Sequence, residues 1–126
     1  MIATIKLTAR MLNKHQINAK DTFKQFVLEE LGIDYGLMQK GEEGKITKPI
    51  VMWIPHASDP TKAHCPIETE LRMYRQTKRG DCLLSIKDLK KLARAGDTLK
   101  IEMAFDTEHY ISVELIRAEQ SFEVAA

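Results

Sequence analysis

The chain has 126 residues, 44% of them hydrophobic, and a formal net charge of +1, which is enough for one ordinary core and too little for two comfortable domains. We therefore expect a single domain over residues 1–126 without a membrane span, because no apolar run approaches the roughly 20 residues of a spanning helix and a signal-peptide core is missing. The chain has only Cys65 and Cys82, whereas a secreted domain of this size that relied on disulfides would usually carry more, so we expect a cytoplasmic protein with reduced thiols.

A strand and a helix open the chain. Residues 3–9 alternate apolar and polar side chains, which predicts a strand with one buried face. Residues 21–31 carry apolar side chains at helical spacing, with Asn18 or Asp21 as the candidate N-cap and Gly32 at the expected stop. A polar segment separates these two predicted elements.

The middle of the chain predicts a central strand between two long loops. Residues 35–48 are rich in glycine and charge and are predicted to form the first loop. Residues 49–55 are apolar on both faces, which is typical of a central, fully covered strand with Trp53 in the core. Residues 56–66 are predicted to form the second loop, and loops of this length are often functional.

A hairpin and a short helix follow. Residues 71–76 alternate apolar and polar side chains, and the turn after them is predicted to pair this strand with residues 82–86 as an antiparallel hairpin. Ser85 to Asp88 resembles a capping box at the start of a short helix, with Gly96 as its left-handed stop.

Two alternating strands complete the chain. The positions predicted to face inward are Leu99, Ile101, Met103, Phe105, Ile111, Val113 and Leu115. The tail, residues 119–126, is expected to fray. With one further short strand in a loop, the order of elements predicts an α+β fold or a small barrel, with mostly antiparallel strands and peripheral helices.

Charges are distributed unevenly along the chain. Residues 1–20 contain four basic side chains and no acid, and residues 72–94 contain eight basic side chains against two aspartates. Acidic side chains dominate the end of the chain. A nearly neutral protein that is polarised in this way can bind a polyanion on one face.

The second basic segment places its donors at the tip of the predicted hairpin. Residues 75–80 concentrate guanidinium, ammonium and amide groups where they can reach phosphates and base edges. Arginine pairs with guanine and asparagine or glutamine with adenine, whereas lysines hold phosphates. Basic side chains of the short helix are interpreted as its ordinary polar face: Lys87, Lys90, Lys91 and Arg94.

Three short motifs carry a resemblance to a known family. They are His15-Gln16-Ile17, Glu70-x-Arg72-x-Tyr74 and Ala95-Gly96-Asp97-Thr98-Leu99. In the order and spacing of these motifs the chain resembles the DNA-binding pseudobarrel of plant B-three transcription factors, and more closely the N-terminal effector domain of EcoRII-type restriction endonucleases. The resemblance implies an α+β, mainly β fold: a seven-stranded, mostly antiparallel open pseudobarrel with two short helices.

The resemblance also implies two arms that grip double-stranded DNA in the major groove, over residues 10–20 and 72–79. The implied DNA-binding residues are Arg10, Asn13, Lys14, His15, Gln16, Asn18 and Lys20 in the first arm, and Arg72, Tyr74, Arg75, Gln76, Thr77, Lys78 and Arg79 in the second. We expect a non-catalytic recognition module of a restriction endonuclease, without catalytic residues, metal or cofactor. A nuclease domain would lie elsewhere in the full-length protein.

Other functions remain open. A small metal-dependent nuclease would use Asp34, Glu43 and Lys45, which resemble the acidic pair and lysine that hold a divalent ion and activate water. A protein-binding inhibitor or adaptor would instead use the acidic terminal region. The candidate zinc ligands lack the paired spacing of structural zinc sites: His56, His64, Cys65 and Cys82.

Overall fold

The computed structural model describes residues 1–55, 65–104 and 111–118. It is mainly β: seven strands form one mixed sheet that curls into a half-barrel, and three short α-helices accompany it in the described residues. The predicted α+β pseudobarrel of seven mostly antiparallel strands is confirmed. One α-helix more is present than the two that were predicted.

The elements follow one another closely along the chain. The strands are β1 (Ile2–Lys6), β2 (Ile17–Asn18), β3 (Ile46–Ile54), β4 (Cys65–Arg75), β5 (Cys82–Ile86), β6 (Thr98–Met103) and β7 (Ile111–Ile116). The α-helices are α1 (Ala9–Lys14), α2 (Asp21–Leu31) and α3 (Leu89–Leu92), and short 3-10 helices cover Tyr35–Leu37 and Glu42–Gly44. Among these described segments, none is a helix long and apolar enough to cross a membrane.

The strand order across the sheet is β1-β6-β7-β3-β4-β5-β2. Neighbouring strands are antiparallel except β3 and β7, which run parallel. The predicted hairpin is present as β4 and β5, with Arg72 opposite Ser85. The short β2 pairs with the free side of β5, so the first predicted arm lies beside the second.

The core lies on the concave side of the sheet. Alternate strand residues point into it, and α2, which packs against β1, adds the fully buried Phe23, Phe26 and Val27. The ring centroids of Phe23 and Phe26 are 6.4 Å apart. Residues 21–31 thus form the predicted helix, and it ends at Gly32 in the left-handed conformation with φ of 69°.

The last two strands have the predicted alternation. The side chains at five of the inward positions are fully buried: Leu99, Ile101, Ile111, Val113 and Leu115. Met103 is half-buried and packs against the core. Phe105 and the tail, residues 119–126, lie outside the described residues.

Helix starts differ from the sequence expectations. α2 begins after Lys20, which makes no side-chain capping bond, so the prediction of Asn18 or Asp21 as N-cap is wrong. α3 begins after Asp88, which also makes no side-chain capping bond. The predicted capping box is absent because Ser85 is held in β5 by its pairing with β4.

The central strand β3 is less covered than predicted. Val51 is half-buried and Trp53 is 38% exposed, so the prediction of a strand covered on both faces, with Trp53 in the core, is wrong. The reason is that the curled sheet has its core on one side, and alternate residues of β3 point to the other. Cys65 and Pro66 begin β4 instead of ending a loop. Residues 56–64 lie outside the described residues.

A buried carboxylate fastens the turn between α3 and β6. Asp97 is 3% exposed, and it accepts hydrogen bonds from the backbone N–H of Arg94 (2.9 Å), Nη1 of Arg117 (2.9 Å) and the backbone N–H of Ala118 (3.1 Å). Gly96 has φ of 96° but lies in this turn, after the helix has ended, so it is not the predicted helix stop. Asp97 therefore ties the end of β7 to the turn before β6.

Candidate nucleic-acid interface

The first predicted arm contains a helix and a strand. The Thr8 hydroxyl accepts a hydrogen bond from the N–H of Met11 and caps α1, and His15 ends α1 in the left-handed conformation with φ of 54°. Ile17 then pairs with Leu84 across β2 and β5. The polar segment is therefore folded against the rest of the sheet.

Strand alternation fixes the direction of the polar side chains that follow α1. Ile17 and Ala19 are 2% and 6% exposed and belong to the core. Gln16 and Asn18 alternate with them and consequently lie on the outer face of the sheet. Two side-chain amides thus stand at the edge of the sheet, next to β5.

The second predicted arm is the hairpin of β4 and β5 with its tip. Leu71 and Met73 are fully buried, so Arg72 and Tyr74 lie on the outer face of β4. The tip is closed by hydrogen bonds from the N–H of Gln76 to the oxygen of Asp81 and from the N–H of Gly80 to the oxygen of Gln76, both 3.0 Å. Thr77, Lys78 and Arg79 at the tip are exposed.

A side-chain contact joins the two arms. Gln16, just before β2, lies beside Tyr74 on β4. Partial burial raises the pKa of Tyr74 above its ordinary value of 10.0, the neighbouring Gln16 side chain lowers it, and the nearby carboxylate of Glu42 raises it. Tyr74 is therefore a neutral phenol at physiological pH, able both to donate and to accept hydrogen bonds.

The arms line two neighbouring grooves. The large groove has a volume of about 620 Å³ and the small groove about 290 Å³. Side chains of the large groove include Lys14, His15, Gln16, Glu42, Lys45, Arg72, Tyr74, Ser85, Lys87, Asp88, Lys90 and Lys91. Those of the small groove include Arg10, Lys14, Gln16, Asn18, Gln76, Arg79 and Asp81. Lys14 and Gln16 line both, so the grooves form one continuous surface.

The large groove is strongly basic. Its six basic side chains (Lys14, Lys45, Arg72, Lys87, Lys90 and Lys91) face only two acidic ones. Lys45 is 3.6 Å from Glu42, and Lys91 is 3.9 Å from Asp88. Exposed ion pairs of this kind contribute little. A net positive potential therefore remains across the groove.

The small groove is bordered by amides and arginines. Asn18 and Gln76 contribute side-chain amides, and Arg10 and Arg79 contribute guanidinium groups. Its floor includes Leu83, which is 2% exposed. These are the side-chain types that form paired hydrogen bonds with base edges.

Arg75 is placed differently from the other arm residues. It alternates with Tyr74 and so shares the core-facing side of β4 with Met73. Its Nε donates to the oxygen of Gly80 at 3.3 Å, and its Nη1 donates to the oxygen of Met38 at 3.2 Å. The guanidinium thus ties the hairpin tip to the segment before β3.

Five of the candidate residues line neither groove. Besides Arg75 they are Asn13, Lys20, Thr77 and Lys78, all four of which are exposed. The other nine candidates are brought together by the two grooves: Arg10, Lys14, His15, Gln16, Asn18, Arg72, Tyr74, Gln76 and Arg79.

The structure adds residues that sequence interpretation left out. Lys87, Lys90 and Lys91 were assigned to an ordinary polar helix face, and Lys45 only to the nuclease alternative, yet all four line the large groove. A charge count could not distinguish them from other surface lysines. The position of Lys87, Lys90 and Lys91 follows from the turn after β5, which places α3 against α1, whereas Lys45 lies just before β3.

Two backbone outliers lie at the large groove. His15 and Asp88, with φ of 54° and 63°, are the non-glycine residues with positive φ in the described part of the chain, and both line this groove. Histidine and aspartate adopt this conformation more readily than most residues. Such outliers concentrate at functional sites. The backbone conformation and the positive charge therefore both indicate that the large groove is a functional site.

The groups named for the alternatives have local roles. Asp34 accepts a hydrogen bond from the N–H of Gly36 at 2.8 Å and caps a 3-10 helix. Within residues 1–55, 65–104 and 111–118, no group of three or more His, Cys, Asp or Glu side chains could hold a metal ion. Cys65 and Cys82 are free thiols. His56 and His64 lie outside the described residues.

Comparisons of the chain with protein-family models, with curated proteins and with solved structures found no match. The function of the grooves is therefore interpreted from their own geometry and charge.

Proposed function

We propose that this domain binds double-stranded DNA sequence-specifically, with the large and small grooves against the duplex. The observation that supports this most is the meeting of two basic segments far apart in the chain. Both segments contribute side chains to the small groove, and the positive surface continues into the large groove through Lys14. A continuous basic surface of this kind is what a polyanion requires.

The side chains of the two grooves suit different parts of the duplex. Arginines and amides of the small groove suit base edges, where each good paired contact contributes about 1 to 3 kcal/mol of discrimination. Lysines of the large groove suit phosphates, which fix position without reading sequence. Both kinds of contact are needed for affinity together with specificity.

The domain would serve as the non-catalytic recognition module of a restriction endonuclease, and a nuclease domain elsewhere in the full-length protein would cut. The resemblance of its three motifs to EcoRII-type effector domains supports this role. The local capping role of Asp34 speaks against the nuclease alternative within this domain.

The first experiment is a gel-shift selection from a randomised duplex pool, at low and moderate salt without added metal. We expect an enriched short motif. Salt-sensitive binding without enrichment would leave only a nonspecific basic face, and absence of binding would contradict the proposal.

Two variants then separate base reading from phosphate contact. Arg79→Ala should weaken binding to the enriched duplex by about 5-fold to 150-fold more than binding to a random duplex. Lys14→Ala should weaken both equally, because phosphates are present in every sequence. Equal loss on both duplexes for Arg79→Ala, as well as for Lys14→Ala, would contradict base reading at this position.

A further inference from the structure

We propose that Lys87, Lys90 and Lys91 form a third contact with DNA, which holds the phosphate backbone beyond the two arms. This inference rests on the proposed DNA binding and assigns a new set of residues to it. The three lysines lie after β5, outside both arms, and line the large groove opposite the end of α1.

The turn that carries Lys87 is fixed to the neighbouring strand. The N–H of Lys87 donates to the oxygen of Glu70 at 3.0 Å, and the Thr69 hydroxyl donates to the oxygen of Lys87 at 2.9 Å. Both bonds use the backbone of Lys87 and leave its side chain exposed. The backbone position of Lys87 at the groove is thus fixed before any ligand arrives.

The helix α3 is anchored in a similar way. Leu89 is 7% exposed and joins the core, Leu92 packs against the core, and α3 contacts α1. Lys90 and Lys91 occupy the exposed side of this single turn. A cation on an anchored element loses less freedom on binding than a cation on a free loop.

The lysine charges are largely available. Lys91 lies 3.9 Å from Asp88, a long and exposed ion pair. Neither Lys87 nor Lys90 has an ion pair within 4.0 Å among the described residues. Their positive charge is therefore offered to a ligand instead of being neutralised within the protein.

Phosphate is the ligand chemistry that fits these side chains. Lysine is a compact point charge on a flexible stem and lacks the planar fork that reads a base edge. The basic side chains that the segment after β5 contributes to the large groove are all lysines, whereas the small groove also contains arginines and amides. The duplex would thus be read at the small groove and held along its backbone at the large groove.

The test is a triple variant, Lys87→Gln, Lys90→Gln and Lys91→Gln, titrated against the enriched duplex and a random duplex over a salt series. The matched control is Lys6→Gln, Lys24→Gln and Lys100→Gln, which removes the same charge from β1, α2 and β6, away from both grooves. Each lysine that neutralises a phosphate should reduce the slope of log affinity against log salt by about 0.9. The variant should weaken binding to both duplexes by the same factor.

Phosphate ethylation interference on the enriched duplex locates the contact. With the wild-type domain, we expect interfering phosphates outside the enriched motif, and the triple variant should lose these alone. A triple variant with the salt slope of the control would overturn the third contact while DNA binding stands. A wild-type domain that binds neither duplex would instead overturn the proposed function itself.

Discussion

The side chain of Gln16 lies beside Tyr74 across β5, and this contact links the two arms. Gln16 lies between the left-handed residue that ends α1 and the first residue of β2, and Tyr74 lies on the outer face of β4. Both side chains line the large groove. The shape of the proposed DNA surface therefore depends on a contact between residues that are far apart in the sequence.

Removing this polar contact should weaken the link between the arms without unfolding the domain. Tyr74→Phe and Gln16→Ala should each lower the free energy of unfolding by about 0.5 to 1 kcal/mol, because the contact is only partly buried. In a double-mutant cycle measured by urea unfolding, we expect a coupling energy of at least about 0.5 kcal/mol. Strictly additive effects would show that the two side chains do not depend on each other.

The two arginines at the hairpin tip should behave differently. Arg75→Ala removes the donor to the oxygens of Met38 and Gly80 and should lower the free energy of unfolding by about 1 to 2 kcal/mol. Arg79→Ala, at an exposed position, should change it by less than about 0.5 kcal/mol. Urea unfolding of both variants measures the difference.

The conservative variant Arg75→Lys provides a further control. A single ammonium group cannot reproduce the two separate donations of the guanidinium, so Arg75→Lys should recover only part of the lost stability. If Arg75→Ala unfolds like the wild type and loses discrimination between DNA sequences, Arg75 acts as a base-reading residue and its structural role is refuted.

Asp97 should be a sensitive position for the stability of the fold. Asp97→Ala removes the acceptor of the backbone N–H groups of Arg94 and Ala118 and the carboxylate that pairs with Arg117, and it should lower the free energy of unfolding by roughly 3 kcal/mol. Asp81→Ala removes an exposed carboxylate and should change it by less than about 0.5 kcal/mol. If the two variants lose similar amounts of unfolding free energy in thermal or urea unfolding, the buried hydrogen bonds of Asp97 do not stabilise the fold more than an exposed carboxylate does.

Tyr35 should make the free energy of unfolding of the domain fall at alkaline pH. Its hydroxyl donates to the oxygen of Leu83 at 2.9 Å, and burial, followed by the nearby Cys82 and Tyr74, raises the pKa of Tyr35 well above its ordinary value of 10.0. Because the folded state holds the proton more tightly than the unfolded state, this stabilisation is complete below pH 10 and declines as the pH rises beyond it.

Tyr35→Phe tests this dependence. The variant should lose about 1 kcal/mol at neutral pH with its hydrogen bond, yet its free energy of unfolding should fall less steeply than that of the wild type between about pH 10 and pH 11. Urea unfolding over this range measures both slopes. Parallel curves for the two proteins would contradict the assigned cause.

The later strands and α2 were predictable because their signals are local and repeated. Leu99 and Ile101 repeat at the period of a half-buried strand, and Phe23, Phe26 and Gly32 mark a helix and its end. In each case one side of the element is apolar along its whole length. Burial against any apolar surface then selects the same backbone conformation.

Elements without such repetition were missed or misplaced. α1 buries only Leu12, so its sequence shows no apolar face, although Thr8 followed by good helix formers was a usable signal. Trp53 shows the reverse case, an apolar side chain on the outward side of a central strand. Composition alone does not state which side of a sheet faces the core.

The sequence by itself determined the mainly β fold, the hairpin of β4 and β5, and the two basic segments, since alternation, turn chemistry and charge are local properties of the chain. Only the tertiary structure decided that Gln16 meets Tyr74, that Arg75 binds backbone oxygens, and that Lys87 and Lys90 line the large groove. These outcomes depend on strand pairing between distant segments, above all β2 with β5. Such pairing is determined by the free energy of the whole core, and this free energy cannot be deduced from a short stretch of sequence.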